Sequence, residues 1–326
     1  MDTSTFQSRT DFSSLHEGVE AIRAQIGKVI VGQHQMVDLL IAGLLTQGHV
    51  LIEGVPGVAK TLTAKLIAQC VDADFSRIQF TPDLMPADVL GTSVFNPQTR
   101  EFEYKKGPVF SNLVLIDEIN RAPAKTQSAL FEVMEERQIT NDGTTFQMNR
   151  PFMVIATQNP IEQEGTYRLP EAQLDRFLFK VEVKYPSLEE EINVLRSIHH
   201  FNGETDLTKM VSKVITTTQI IEFQNSVRQV IVDDKLFRYI ASVINETRMN
   251  PSLYLGASPR ASIAVMNASK AIAAMRSRDF VTPDDVVEVL PHVLRHRIML
   301  TPEKEMEGIK TDDVIAQIVK AIEVPR

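Results

Sequence analysis

From residue 15 to about residue 185, short apolar runs alternate with segments whose apolar residues recur at helical spacing, the pattern of a parallel sheet covered by helices. Five runs read as strands: 49–52, 76–80, 113–116, 152–156 and 178–183. Beyond Tyr185 the strand pattern largely stops. Ser187 with Glu190 forms a capping box, and Thr282-Pro283-Asp284-Asp285 combines an N-cap, a first-turn proline and early acids. The expected division is therefore an α/β domain over 1–185 and a smaller α-helical domain over 186–326, joined at Tyr185-Pro186. Two stretches interrupt the α/β pattern and read as inserted hairpins: 94–104, turning at Asn96-Pro97-Gln98-Thr99, and 138–148, turning at Asn141-Asp142-Gly143.

Composition narrows the class. At roughly 150 residues per domain, 326 residues make about two domains, and 43% hydrophobic with 23% charged residues is the usage of a soluble globular protein. Thirty-four Lys and Arg against 42 Asp and Glu leave a net charge of −8, which disfavours nonspecific nucleic-acid binding and, more weakly, docking on anionic membranes. The lone Cys70 forms no internal disulfide and the polar N-terminal stretch carries no apolar signal segment, so a cytoplasmic location is expected. The apolar run 39–45 is far short of the ~20 residues needed to span a bilayer.

The chemistry concentrates at three strand ends. The run 49–54 leads into Gly54-Val55-Pro56-Gly57-Val58-Ala59-Lys60-Thr61-Leu62, an apolar strand, a Gly/Pro loop and a helix opened by Lys-Thr. Such a loop aims backbone N–H groups at a phosphate; Lys60 supplies a cation and Thr61 a hydroxyl for Mg²⁺. Ala59 stands where glycine usually precedes the lysine, and its methyl restricts φ, so an altered loop is expected there. The second strand end is Asp117-Glu118, where paired carboxylates are costly unless they serve a cation or a proton transfer; Asp117 is a ligand for Mg²⁺ or its water, and Glu118 a polariser of attacking water. The third is Asn159, after the run 152–156, either a turn former or the group that orients that water. Arg176 and Arg260 remain as either mobile arginines that neutralise phosphoryl charge or structural ion-pair partners, and Ser258-Pro259-Arg260 reads as an N-cap opening a helix. His292 and His296, four apart on an expected helix, lack a third ligand at metal spacing.

Taken together these segments resemble the AAA+ ATPases, and among them the MoxR family, over about residues 29–300. The resemblance is carried by Gly54 to Thr61, by Asp117-Glu118-Ile119-Asn120-Arg121-Ala122, and by the segments 85–91, 106–110 and 169–177. It implies an αβα P-loop core with a helical lid, ATP and Mg²⁺ as ligands, Asn159 as sensor 1, Arg176 as arginine finger and Arg260 as sensor 2, acting in its own or a neighbour's site. It further implies that the segment Val31-Gly32-Gln33 lies against adenine, that 94–104 is the helix-2 insert and that 138–148 is the hairpin before sensor 1. A ring, hexameric with ATP, and protein clients, including cofactor or metal insertion and a von Willebrand factor A domain partner, are also implied. Arg121 and Arg168 receive no role.

Two other classes compete. A helicase-like motor would need basic and aromatic residues on its hairpin, where Asp142 sits at the turn, Arg137 and Arg150 only flank it, and Phe146 is the single aromatic platform expected. A slow nucleotide-dependent switch or scaffold is the alternative that Ala59 suggests.

Overall fold

The computed structural model describes residues 10–160, 167, 169–200 and 206–325. The chain begins with α1 (Ser13–Ile26), α2 (His34–Leu45), β1 (His49–Gly54), α3 (Lys60–Cys70), β2 (Phe75–Gln79), α4 (Pro86–Leu90), β3 (Gly91–Asn96), β4 (Glu101–Lys106) and β5 (Leu113–Asp117). It continues through α5 (Ala124–Glu136), β6 (Gln138–Asn141), β7 (Thr144–Gln147), β8 (Met153–Gln158), α6 (Glu171–Leu174), β9 (Phe177–Val183) and α7 (Leu188–His200). The remainder holds α8 (Thr217–Arg228), α9 (Asp234–Met249), β10 (Leu253–Leu255), α10 (Pro259–Met275), α11 (Pro283–Leu294), β11 (Met299–Leu300), α12 (Pro302–Met306) and α13 (Thr311–Ala321). By compactness the described residues form two units, 21–221 and 10–20 together with 222–325.

The first unit is built on a five-stranded parallel sheet in the order β2-β5-β8-β1-β9, and the five apolar runs of the sequence are these strands. Their continuous apolar character follows from burial on both faces: Val50, Leu51 and Ile52 of β1, Val114 to Ile116 of β5 and Val154 to Ala156 of β8 are all sealed from solvent. One polar residue is built into this interior. His49 accepts the Val154 N–H at Nδ1 (2.9 Å), which leaves Nε2–H to donate to the Met134 carbonyl (3.1 Å). Burial holds its pKa at about 4, so the ring is neutral.

Both expected hairpins form, β3–β4 and β6–β7, and they are latched together. Ser93 Oγ donates to Asp142 Oδ2 (2.6 Å) and accepts from Asn141 Nδ2 (2.7 Å). Gly91 is required at its position, since its φ is +109° and a Cβ would collide with the Lys105 carbonyl. Phe146 is not a lone aromatic: it stacks on Tyr104 with centroids 4.7 Å apart, Phe110 meets both edge-on, and the Lys106 ammonium lies 4.9 Å from the Phe110 centroid. Tyr104 and Phe146 therefore spend their inner faces on each other rather than offering a stacking platform, while Phe95 and Phe102 form a separate exposed pair.

The first compact unit extends past Tyr185-Pro186 to residue 221. The capping box at the start of α7 is made, with the Ser187 N–H on Glu190 Oε2 (2.8 Å), and the segment after α7 is tied back to α1 and α3. Gln69 Nε2 donates to the Val211 carbonyl (2.9 Å), Ser212 N–H to Gln25 Oε1 (3.1 Å) and Val214 N–H to the Cys70 carbonyl (2.8 Å).

In the second unit Phe12, Leu15 and Val19 are buried, and His16 Nδ1–H donates to the Met275 carbonyl (2.7 Å), so residues 10–20 belong with the helices rather than with the α/β part. Ala261, Ala268, Ala271, Ala273 and Ala274 seal α10. The capping box opening α11 forms as expected, Thr282 N–H to Asp285 Oδ2 at 2.8 Å. Ser258 is the N-cap residue of α10, yet its hydroxyl makes no cap hydrogen bond. His292 lies on α11, whereas His296 falls beyond its end, so the two do not share a helix face. Among the described residues no cluster of His, Cys, Asp and Glu is arranged to hold a metal ion by itself, and no helix is long and apolar enough to cross a membrane.

Candidate nucleotide site

The carboxyl ends of β1, β5 and β8 lie along one edge of the sheet, where parallel α/β folds place their ligands. β1 runs into the loop 55–59, which turns into α3 through left-handed residues, Gly57 at φ +85° and Ala59 at φ +60°. Ala59 is held in the left-handed region that a glycine would adopt freely, at a cost of roughly 1–2 kcal/mol. Lys60, the first residue of α3, donates its ammonium to the Gly54 carbonyl, folding back over the loop. Thr61 places Oγ1 3.3 and 3.4 Å from the two carboxylate oxygens of Asp117.

Asp117 ends β5 and is almost buried. Its Oδ1 accepts from Thr157 Oγ1 (2.9 Å) and its Oδ2 from Arg77 Nε (2.7 Å). Glu118, one residue on, has φ +57° and ψ 52°, a left-handed conformation that a carboxylate residue adopts only when its surroundings impose it. They do: its N–H donates to Thr157 Oγ1 (3.1 Å), Gln79 Nε2 donates to Oε2 (2.8 Å), and Arg121 Nε stands 3.1 Å from the same oxygen. Asn159, just past β8, is buried at the same edge.

Two cavities meet on this loop. A polar one of about 500 Å³ is lined by Lys60, Thr61, Asp117, Glu118, Thr157 and Asn159. An apolar one of about 490 Å³ is lined by Val29, Ile30, Val31, Val58, Val194 and Ile198. Pro56, Gly57, Ala59 and Leu62 line both, so a ligand with an apolar end and an anionic end fits across the loop.

A model of the ATPase family associated with various cellular activities (AAA) matches residues 49–179, and one of the AAA lid domain matches residues 245–318. The uncharacterized protein YeaC of Bacillus subtilis is 49% identical over 92% of this chain and 92% of its own length. The chaperone MoxR1 of Mycobacterium tuberculosis is 46% identical over 93% of this chain and 81% of its own. The chain belongs to the MoxR family of AAA+ ATPases. A solved structure of a candidate ATPase from Cytophaga hutchinsonii superposes with a TM-score of 0.89 at 41% identity, covering 97% of each chain.

In this MoxR-family chain the structure gathers most of the residues that the sequence singled out, but not all. Gly32 lines a small separate cavity beside Arg23 and Asp38, where a side chain would strike Glu190; Val31 and Gln33 face the apolar cavity instead. Val55 lines neither large cavity, and Gly54 contributes its carbonyl to Lys60. Arg176 is paired with Glu135 (2.8 Å) and lines neither cavity. Arg260 sits exposed in the first turn of α10, in the other compact unit. Arg168 lies outside the described residues.

Three residues of the polar cavity carried no assignment in the sequence: Arg77, Gln79 and Thr157. The signal for the first two was faint, polar residues two apart in the strand Phe75–Gln79, which puts both on one face. Arg121, without a role in the sequence, proves to be a partner of Glu118. The donor set of the site suits Mg²⁺, a hard cation commonly bound through one or two protein oxygens plus phosphate: Thr61 Oγ1 and the Asp117 carboxylate supply hard oxygens side by side.

Proposed function

We propose that this protein binds Mg²⁺-ATP across the loop 54–61 and hydrolyses it to ADP and phosphate. The observation that carries this reading is the meeting of Lys60, Thr61, Asp117, Glu118 and Asn159 around one polar cavity that shares its loop with an apolar one. The base and ribose take the apolar cavity beside Val31 and Val58. The phosphates lie at the N-terminus of α3, beside its first-turn N–H groups and the Lys60 ammonium. Mg²⁺, held by Thr61 and Asp117, supplies charge neutralisation to the phosphate oxygens.

Glu118 accepts a proton from a water oriented by Asn159, the water oxygen bonds to the γ-phosphorus, and the bond to the β–γ bridging oxygen breaks to release ADP. Arg176, turned away from its own cavities toward Glu135, serves the site of a neighbouring copy. That arrangement calls for a ring, hexameric with ATP. The ring acts on a protein client, possession of the family chaperone fold and the −8 charge both favouring protein over nucleic acid; maturation of a cofactor- or metal-dependent client, with a von Willebrand factor A domain protein as partner, is the form proposed.

Glu118→Gln tests the reading in one protein. It should bind ATP as the parent does, assemble into hexamers with ATP in sedimentation, co-purify with the client, and lose turnover by at least about a hundredfold. Unchanged turnover would remove Glu118 as the base, and a monomer at saturating ATP would remove the ring.

A further inference from the structure

Arg77 reaches from the edge strand β2 to the metal-holding carboxylate, and this contact has a chemical consequence. Asp117 is a β5 residue whose register partner on β2 is Gln79, so Arg77 lies two residues back along the same face and must extend its side chain along the strand to meet Oδ2 at 2.7 Å. That side chain is 52% exposed, whereas Asp117's is 10% exposed. Thr157 and Thr61 bring only neutral hydroxyls to the carboxylate, whereas Arg77 brings a full positive charge to it, at the group where a divalent cation beside Thr61 must bind. Two cations on one carboxylate repel each other across a few ångströms.

We propose that Arg77 is an exchangeable counter-ion, which Asp117 trades for the divalent cation when metal and nucleotide bind. This rests on Thr61 and Asp117 being the metal-holding pair. The exchange is relayed. Arg77 Nη2 donates to Gln79 Oε1 (3.0 Å), and Gln79 Nε2 donates to Glu118 Oε2 (2.8 Å), so a guanidinium that leaves Asp117 also withdraws the donor that orients the Gln79 amide. Gln79 then holds Glu118 less firmly. Metal occupancy at Asp117 is thereby coupled to the freedom of the neighbouring base, and Arg77 is a positioning residue acting through Gln79. A half-exposed side chain suits this role, because release to water costs it little.

The test measures binding of a fluorescent non-hydrolysable ATP analogue by the full chain across a Mg²⁺ titration. For Arg77→Gln the Mg²⁺ concentration at half-saturation should fall by about three- to fivefold, the size expected of a half-exposed ion pair, while Arg77→Lys stays near the parent. A midpoint that is unchanged or raised in Arg77→Gln overturns the exchange. On the unaltered protein with ¹⁵N-labelled arginine, the Arg77 Nε–H resonance should lose its exchange protection when Mg²⁺ and the analogue are added together; a resonance that stays protected in the saturated protein also overturns it, whether or not the variant folds. If the parent binds no analogue at any Mg²⁺ concentration, the nucleotide reading itself fails along with the exchange, and this is distinct from Mg²⁺-dependent binding without a shift, which removes the exchange alone.

Discussion

Asp285 in the helical unit and Asp117 in the sheet unit are both bound by arginine, in opposite surroundings. Asp285 is wholly enclosed: Arg276 Nη1 (3.0 Å), Arg278 Nη1 (2.7 Å) and Nη2 (2.6 Å), and the N–H and hydroxyl of Thr282 (both 2.8 Å) all bond to it. Burial alone would raise its pKa, but the Arg278 pair and the Thr282 hydrogen bonds hold it below the usual carboxylate value. Asp117 faces a cavity of about 500 Å³, beside a glutamate in a left-handed conformation, and its arginine is half in water. The contrast separates an ion pair that closes a structure from one placed to be exchanged: the first has every acceptor filled and no access, the second sits at an opening with a ligand-sized space before it.

Paired substitutions are the strongest way to break this contrast. Asp285→Asn should lower the unfolding free energy by about 3–5 kcal/mol, since it strips the charge from a sealed site with two guanidinium partners. Asp117→Asn should cost about 1 kcal/mol or less, because Arg77 returns to water, yet abolish Mg²⁺-dependent nucleotide binding. Equal losses of stability in urea unfolding would erase the distinction.

Acid sharpens it next. The folded pKa of His49 is about 4, below the ordinary 6.5, so the folded state binds fewer protons than the unfolded one across that interval. Its contribution is complete above about pH 6.5 and is lost as pH falls toward 4, amounting to roughly 3 kcal/mol. Asp285, with its pKa lowered from 3.8, keeps its charge through the same window. The sheet unit should therefore loosen first on acidification, as read by amide exchange at Val154 against amides of α11, and His49→Gln should flatten the slope between pH 6.5 and 4. Loss of protection in α11 ahead of Val154 would contradict this.

The smallest expected effect concerns strain at the loop. Ala59→Gly should relieve the left-handed alanine by about 1 kcal/mol, less the entropy of the freer unfolded chain, and so leave the melting temperature level or slightly raised. A clear drop would show that the methyl makes a contact worth more than its strain.

Much of the site was legible because its signals are local. The loop 54–61 is read from residues adjacent in sequence, and Asp117-Glu118 and Asn159 from polar groups that abruptly end fully buried strands. Arg77, Gln79 and Thr157 were not legible, because each acquires its meaning from a carboxylate on a neighbouring strand, and nothing within β2 or β8 states which strand that is. The boundary at Tyr185-Pro186 follows the end of the strand pattern, but the hydrogen bonds of Val211, Ser212 and Val214 carry the first unit on to residue 221. Ser258 shows the same limit on a smaller scale, a residue of capping type at the capping position whose hydroxyl does not cap.

The sequence by itself determined the strands, the two hairpins, the nucleotide loop and the family, since periodicity and short motifs depend on near neighbours along the chain. The tertiary structure alone decided how Asp117 and Glu118 are held. Strand order brings β2 and β8 to either side of β5, and that pairing places an arginine, a glutamine and a threonine on two acids that lie about 40 residues away in sequence.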